Sequence, residues 1–281
     1  MVGVRALGLM CNDPQRGVVA LHELAALASL PVDADAIGTA CIVDGAALLS
    51  RLPAVVAERS LAQTVGPIQG RCAVVQVRVR GELRPTGPAG AASQGPFRAR
   101  SYAAAVIGGP QDADGASASR ERLLAGVPDF LRRFVGGHAE GEALFIAILA
   151  RLHALGGLES PHDNAAKLAQ AARDVVGKAG SEPRQVTLTN GVEVVHIAVG
   201  MPSAVVTLAA LSEATANRVD PTLADSSMGR ERLRRFRGVV TLGGLDTPLK
   251  ASTAVPDKAT LQVLPDSAAI LVARDLTVRV L

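Results

Sequence analysis

Short apolar runs bounded by turn residues fill both ends of this 281-residue chain and restrict what it can fold into. The run from Cys72 to Val79, CAVVQVRV, predicts a strand, and Val2 to Cys11 predicts another. Apolar residues on both sides of Asn190-Gly191 predict a hairpin, because this dipeptide favours tight turns between antiparallel strands. Between the two strand-rich blocks, apolar residues at helical spacing predict helices over 120–135, 140–155 and 164–178. The sequence therefore predicts an α+β fold in which helices cover largely antiparallel sheets.

Four further segments complete these predictions. Residues 18–30 predict a helix that ends before Pro31. Residues 84–96, RPTGPAGAASQGP, predict a loop because Gly and Pro interrupt regular structure. The polar residues 110–119 predict a second loop, and the chain after residue 185 predicts mostly strands.

The scarcity of aromatic residues excludes one class of function. The chain has no Trp, one Tyr and five Phe, whereas single-stranded nucleic acids are bound largely by stacking on aromatic side chains. We therefore expect no nucleic-acid partner and a core built from aliphatic residues. No apolar stretch reaches the roughly 18–20 residues of a membrane helix, and the N-terminal apolar run is too short for a signal peptide. We expect a cytoplasmic protein with no membrane partner.

Cysteine, histidine and glycine positions predict neither a metal site nor a cofactor. Cys11, Cys41 and Cys72 are an odd number without CxxC spacing, so neither a disulfide framework nor a zinc site is expected. The five His are scattered; His138, just before a predicted helix, is the first to examine for a place in a pocket. No glycine-rich segment fits a nucleotide-binding loop.

A run of arginines is the densest charge in a chain whose net charge is only +3. A solvated helix face is the preferred explanation, and a site for phosphate or an acidic partner is the alternative. The run comprises Arg230, Arg232, Arg234, Arg235 and Arg237, with Glu231 among them.

Several blocks, in order, resemble the class II (N-terminal nucleophile) glutamine amidotransferases. The start Met1-Val2-Gly3-Val4 is similar to the family's Met-Cys-Gly-Val, and an Asn12-Asp13-Pro14 turn follows it. Other blocks are similar to the family's HDGWGIG, VR, NTHPF, HNG and SDSEALF segments. They are Ala34 to Ala40, Gln76 to Arg78, Ser93 to Phe97, Ile107 to Gly109, and Ala139 to Phe145. The resemblance covers nearly the whole chain and implies a four-layer αββα sandwich in one domain, residues 1–281.

The departures from the family pattern fall on its chemistry. In the family the N-terminal Cys is the nucleophile, and here that position holds Val2, which has no nucleophilic atom. Gly108 replaces the Asn of the HNG turn, a donor to the oxyanion in the family. The resemblance still implies ligand contacts at Gly108 and Gly109, at Arg78, which in the family holds the glutamine carboxylate, and at Glu140, in place of the Asp that receives the ammonium.

These losses favour a catalytically inactive, amidotransferase-like subunit with a structural or regulatory role in a larger enzyme complex. Its expected partner is a synthase or oxidoreductase subunit, and a glutamine- or glutamate-like amino acid would bind at Arg78 and Glu140. The alternative is an active glutaminase that uses Cys11 after removal of residues 1–10. Against it, Cys11 precedes a turn rather than a strand and is better explained as a packing residue at a strand end.

Overall fold

Fifteen strands and seven α-helices occur among the residues that the computed structural model describes, 2–31, 33–53, 70–79, 95–160, 163–250 and 252–281. The strands are β1 Val2–Gly3, β2 Ala6–Cys11, β3 Ala28–Ser29, β4 Ala34–Val43, β5 Ala46–Pro53, β6 Cys72–Val79, β7 Phe97–Ala99, β8 Tyr102–Gly108, β9 Arg184–Thr189, β10 Val194–Val199, β11 Ser203–Leu208, β12 Gly238–Gly243, β13 Ala259–Leu264, β14 Ser267–Val272 and β15 Val278–Val280. The helices are α1 Gly17–Glu23, α2 Ala113–Leu124, α3 Asp129–Arg132, α4 Glu140–Ala154, α5 Ala165–Val176, α6 Glu213–Val219 and α7 Ser227–Arg234.

Two antiparallel sheets contain most of these strands. The first has seven strands in the order β13-β11-β12-β2-β6-β4-β5, and the second has six in the order β15-β14-β10-β9-β8-β7. Strands β1 and β3 form a separate parallel pair. In the first sheet β2 is the central strand, with β12 on one side and β6 on the other.

The sheets stack face to face between two layers of helices. On the outer side of the first sheet, Leu9 of β2 shares a core with Val19 of α1 and Leu233 of α7. On the outer side of the second sheet, helices α4 and α5 pack over β8, β9 and β10. A third core between the sheets joins Met10 to Ile270. The predicted four-layer αββα sandwich is confirmed.

Small residues line much of the space between the sheets. Ala6, Ala40 and Ala105 are buried together there. A Cβ on Gly8 would lie 2.6 Å from Cγ2 of Thr187, which comes from the opposite sheet. Because real Cβ atoms do not approach so closely, the sheet spacing at this point requires glycine. The aliphatic, aromatic-poor composition therefore suits two sheets that lie close together.

The structure corrects several local predictions. Residues 110–119 are not a loop, because α2 begins at Ala113, where the Asp112 carboxylate accepts a hydrogen bond from the Gly115 amide and caps the helix. The helix predicted over 120–135 is interrupted before Pro128, which stands at the N-cap of α3. The helix predicted over 18–30 ends at Glu23 and is followed by a 3₁₀ turn and β3. Within the predicted loop 84–96, residues 84–94 lie outside the described residues.

Two helices lie in the part of the chain predicted to be mostly strands, and the second agrees with the interpretation of the arginine run as a helix face. Helix α6 begins after Ser212 and α7 after Ser226, and each serine side chain accepts a hydrogen bond from a backbone amide in the first turn. Helix α7 and the residues just after it carry the arginine run from 230 to 237.

Candidate functional site

The residues singled out by the family resemblance converge on one end of the sandwich, where β2 begins. Ala6, the first residue of β2, pairs with Gln76 on one side and Gly243 on the other. In the second sheet, Gly108 at the end of β8 pairs with Arg184 at the start of β9. We call this region the site end.

Two glutamine side chains connect the two sheets at the site end. The Gln76 side-chain amide donates to the Val106 carbonyl at 2.7 Å and accepts from the Val106 backbone amide at 3.0 Å. It thus makes the two hydrogen bonds that a neighbouring strand would make. The Gln185 side chain accepts a hydrogen bond from the Gly244 amide at 2.7 Å. These contacts hold the start of β2 and the end of β8 at the same end of the sandwich.

Glu140 lies beside the Gly108-Gly109 turn, as the resemblance implies, and belongs to a buried ion pair. Its Oε1 accepts hydrogen bonds from Arg184 Nη1 at 2.7 Å and from Ser119 Oγ at 2.8 Å. Arg184 is 1% exposed. A Cβ on Gly109 would come within 3.1 Å of Glu140 Oε2, so the glycine leaves room for the carboxylate.

Arg78 also has a carboxylate partner within the chain. It lies opposite Ala36, where an irregularity between Ala34 and Ala36 leaves Asp35 out of the strand register. Arg78 Nε donates to Asp35 Oδ1 at 2.6 Å, and both side chains are mostly buried. Because Arg78 is two residues beyond Gln76 on β6, the two side chains share a face of the sheet.

The N-terminal strand occupies the position where the family resemblance places the nucleophile. Val2 pairs with Ala28 in the parallel β1–β3 pair, and its side chain lies outside the described part of the structure. The Gly3 amide donates to Asp246 Oδ1 at 2.9 Å. A Cβ on Gly3 would displace the exposed Asp246 carboxylate from this hydrogen bond.

Cys11, the other nucleophile candidate, lies at the opposite end of β2. It pairs with Gly238, and its thiol donates to the Asp13 carbonyl at 3.4 Å. At about 3.4 Å per residue, the five steps from Ala6 place it about 17 Å from the start of the strand. Burial raises the pKa of the Cys11 thiol to about 12, so the thiol is protonated at neutral pH and is a poor nucleophile.

His138, the histidine proposed for a pocket, is exposed just before α4. Within the described residues, no group of three or more His, Cys, Asp and Glu side chains could hold a metal ion. No helix in the same part of the chain is both long and apolar enough to cross a membrane.

The arginine run makes several contacts within the chain. Arg232 pairs with Asp13 at 2.9 Å, and Arg235 pairs with Glu231 at 2.6 Å. Arg237 donates to the carbonyls of Arg234 and Phe236. The run therefore helps to fix α7 against its surroundings, and its use as a docking site stays a prediction.

Sequence reasoning missed a buried histidine between the sheets. His196 Nδ1 lies 2.9 Å from Thr187 Oγ1, and Nε2 lies 3.0 Å from the side-chain nitrogen of Gln185. Burial lowers the pKa of His196 to about 3. The signal was present, because His196 is the one polar residue in the apolar run Val194–Val199 of a predicted strand. Its neutral imidazole helps to position Gln185, which holds Gly244 at the site end.

Comparisons with known proteins show what the architecture is similar to. No family model matches the sequence, and no curated protein matches it significantly. A predicted glutamine amidotransferase from Pseudomonas aeruginosa PA01 has a similar structure, with a TM-score of 0.53 and 15% identity over 99% of both chains. A glutamine aminotransferase class-II domain protein from Silicibacter pomeroyi gives a TM-score of 0.52 and 13% identity over 98% of both.

A third similar structure is the glutamine phosphoribosylpyrophosphate amidotransferase from B. subtilis, complexed with ADP and GMP. Its TM-score is 0.50 with 11% identity, and the match covers 98% of this chain and 48% of that one. The chain has the fold of a class II glutamine amidotransferase domain. At these identities the likeness shows the fold, and the ligand roles of Arg78, Gly108, Gly109 and Glu140 stay predictions.

The buried ion pair predicts a large effect on stability. Glu140→Ala removes the nearer and buried carboxylate partner of Arg184 and leaves only the half-exposed Glu182 at 3.6 Å. We therefore expect a loss of about 3 kcal/mol in the free energy of unfolding, measured in urea. Replacing both residues, Glu140→Leu with Arg184→Met, should cost less than the single change, because no unpaired charge remains. Glu159→Ala, which breaks the exposed Arg100–Glu159 pair, is the control and should change stability little. A similarly small loss for Glu140→Ala would contradict this assignment.

His196 predicts a specific dependence of stability on pH. The folded pKa of about 3 lies below the ordinary value of 6.5, so in this window the unfolded chain binds a proton that the folded chain does not. Stability from neutral His196 is fully present above about pH 6.5 and is lost as the pH falls towards 3. In urea unfolding at several pH values, His196→Gln should flatten this decline, whereas the exposed-site change His138→Gln should not. Equal slopes for wild type and His196→Gln would refute the prediction.

Proposed function

We propose that the chain is a catalytically inactive glutamine amidotransferase-like protein that serves as a structural or regulatory subunit of a larger enzyme complex. The observation that carries the proposal is the position of Cys11. It is buried at the end of β2 remote from the site end, while Val2 stands in the place of the family nucleophile.

The site end also lacks a second catalytic group. Gly108 stands where the family resemblance expects an Asn that stabilises the oxyanion, and glycine has no side-chain donor. Loss of one such donor typically lowers the rate by about 10²–10³-fold. Together with the valine at position 2, this loss supports an inactive protein over a shifted nucleophile.

The alternative, a glutaminase that uses processed Cys11, conflicts with the sheet. Cleavage before Cys11 would remove residues 6–10, which are five of the six residues of β2. Strands β12 and β6 pair with β2 from opposite sides and would each expose an unpaired edge in the middle of the sheet. Activation of Cys11 would therefore dismantle the sheet that supports the site.

This proposal includes a partner protein because a similar fold occurs elsewhere as one part of a longer chain. Roughly half of the B. subtilis phosphoribosylpyrophosphate amidotransferase chain lies outside the match to this one. We infer that this chain acts together with a second protein, a synthase or an oxidoreductase subunit. A stable second polypeptide in the native complex is what this role requires.

Glutamine hydrolysis tests the catalytic claim. We expect the purified chain to release no ammonia from glutamine above the rate of a buffer blank, and Cys11→Ala to change nothing. Cys41→Ala, which also removes a buried thiol, is the matched control. Ammonia release by the wild type that is lost in Cys11→Ala but kept in Cys41→Ala would overturn the proposal.

Amino-acid binding at Arg78, Gly108, Gly109 and Glu140 is the remaining part of the proposal. Asp35 already forms an ion pair with Arg78, so a ligand carboxylate has to compete with the Asp35 carboxylate. Asp35→Asn should therefore strengthen glutamate binding about tenfold in calorimetric titrations, and Arg78→Ala should abolish it. Glu231→Gln, which frees Arg235 on α7, is the control and should leave the affinity unchanged. No difference between Asp35→Asn and wild type would exclude Arg78 as the carboxylate site.

A further inference from the structure

A cavity of about 490 Å³ opens between α2, α4 and α5, on the outer side of the second sheet. This volume lies within the range of small-molecule sites. Alanines leave the space, because Ala147, Ala150 and Ala154 recur every three or four residues along one side of α4. Leu123 and Val175 add apolar surface from the neighbouring helices. The lining of this cavity, the α2–α4–α5 cavity, therefore combines an apolar strip with polar and charged groups.

The charged residues that line the cavity are mostly cations. Arg122, Arg151 and Lys178 are opposed by one carboxylate, Asp174, so the lining carries a net charge of 3 − 1 = +2. Arg151 is engaged, because its Nε donates to Asp174 Oδ2 at 2.7 Å. Arg122 and Lys178 are exposed. Neither side chain forms a hydrogen bond or ion pair with another residue of the described ranges, and both are available to an anion.

The polar groups on the inner wall of the cavity, by contrast, already form hydrogen bonds within the chain. Ser119 donates its hydroxyl to Glu140 at 2.8 Å, and the Ala179 carbonyl accepts from Arg184 at 3.2 Å. An occupant therefore gains little by placing a polar group there. Its apolar part belongs against the alanines, and its charged group belongs at Arg122 and Lys178.

We propose that the α2–α4–α5 cavity binds a small carboxylic acid with an apolar body. The carboxylate lies at Arg122 and Lys178, and the apolar body lies over Ala147 and Ala150. A carboxylate is preferred to a phosphate ester, because a singly charged group loses less hydration than a doubly charged one when it lies beside the apolar wall. The cavity shares α4 and the Ser119–Glu140 contact with the site end. The proposed ligand contacts are Arg122, Lys178, Ala147 and Ala150, so this binding does not depend on amidotransferase chemistry.

Amide NMR titrations with hexanoate, hexanamide and hexyl phosphate test the proposal. Hexanoate should shift the resonances of Leu123, Val127 and Ala150 and saturate, and hexanamide should bind at least tenfold more weakly because it lacks the charge. Tighter binding of hexyl phosphate than of hexanoate would overturn the choice of head group. Shifts that never saturate, or equal affinities for hexanoate and hexanamide, would overturn the site.

Variants locate the binding. Arg122→Gln with Lys178→Gln should weaken hexanoate about tenfold or more and leave hexanamide unchanged, and these exposed changes should not disturb folding. Lys250→Gln with Arg274→Gln removes the same charge from exposed positions elsewhere and should leave hexanoate binding as in the wild type. Ala150→Leu fills the apolar part of the cavity and should abolish binding of both ligands at an unchanged melting temperature. Hexanoate affinity that survives the Arg122 and Lys178 changes would refute the proposal.

Discussion

The central position of β2 is the constraint on which the rest of the structure depends. Three strands of the first sheet lie on each side of it, and all six of its residues are buried. Its first residue, Ala6, lies at the site end and pairs with Gln76 and Gly243, while its last residue, Cys11, lies at the opposite end. One strand thus supports the site and also holds the Cys11 thiol away from it. The same strand cannot be both the centre of the sheet and a removable leader.

Two of the residues proposed to contact a ligand at the site end form ion pairs within the chain. Arg78 meets Asp35, and Glu140 meets Arg184. An active site keeps such groups available to a substrate, although a buried charge without a partner is costly. Here the partners come from the chain itself, and the Glu140–Arg184 pair is almost completely buried. These pairs fit a protein in which the amidotransferase architecture is retained for assembly rather than for turnover.

Strong local patterns allowed much of the fold to be predicted from the sequence. The strand Cys72–Val79 and the helix from Glu140 follow their apolar periodicity, and the four layers followed from the family resemblance. The first part of α2, residues 113–119, was missed because only Ser119 of the helix is buried, so no apolar face marks this part. The partners Asp35 and Arg184 were missed because each is more than 40 residues from the group it neutralises. Such pairs depend on tertiary contacts that periodicity does not contain.

Intact mass combined with N-terminal sequencing of the purified protein tests the central claim most directly. Residues 6–10 belong to β2, so the account predicts that they remain in the folded protein and that Cys11 is never the first residue. A folded protein whose mass and sequence begin at Cys11 would contradict the account, because the sheet would then exist without its central strand.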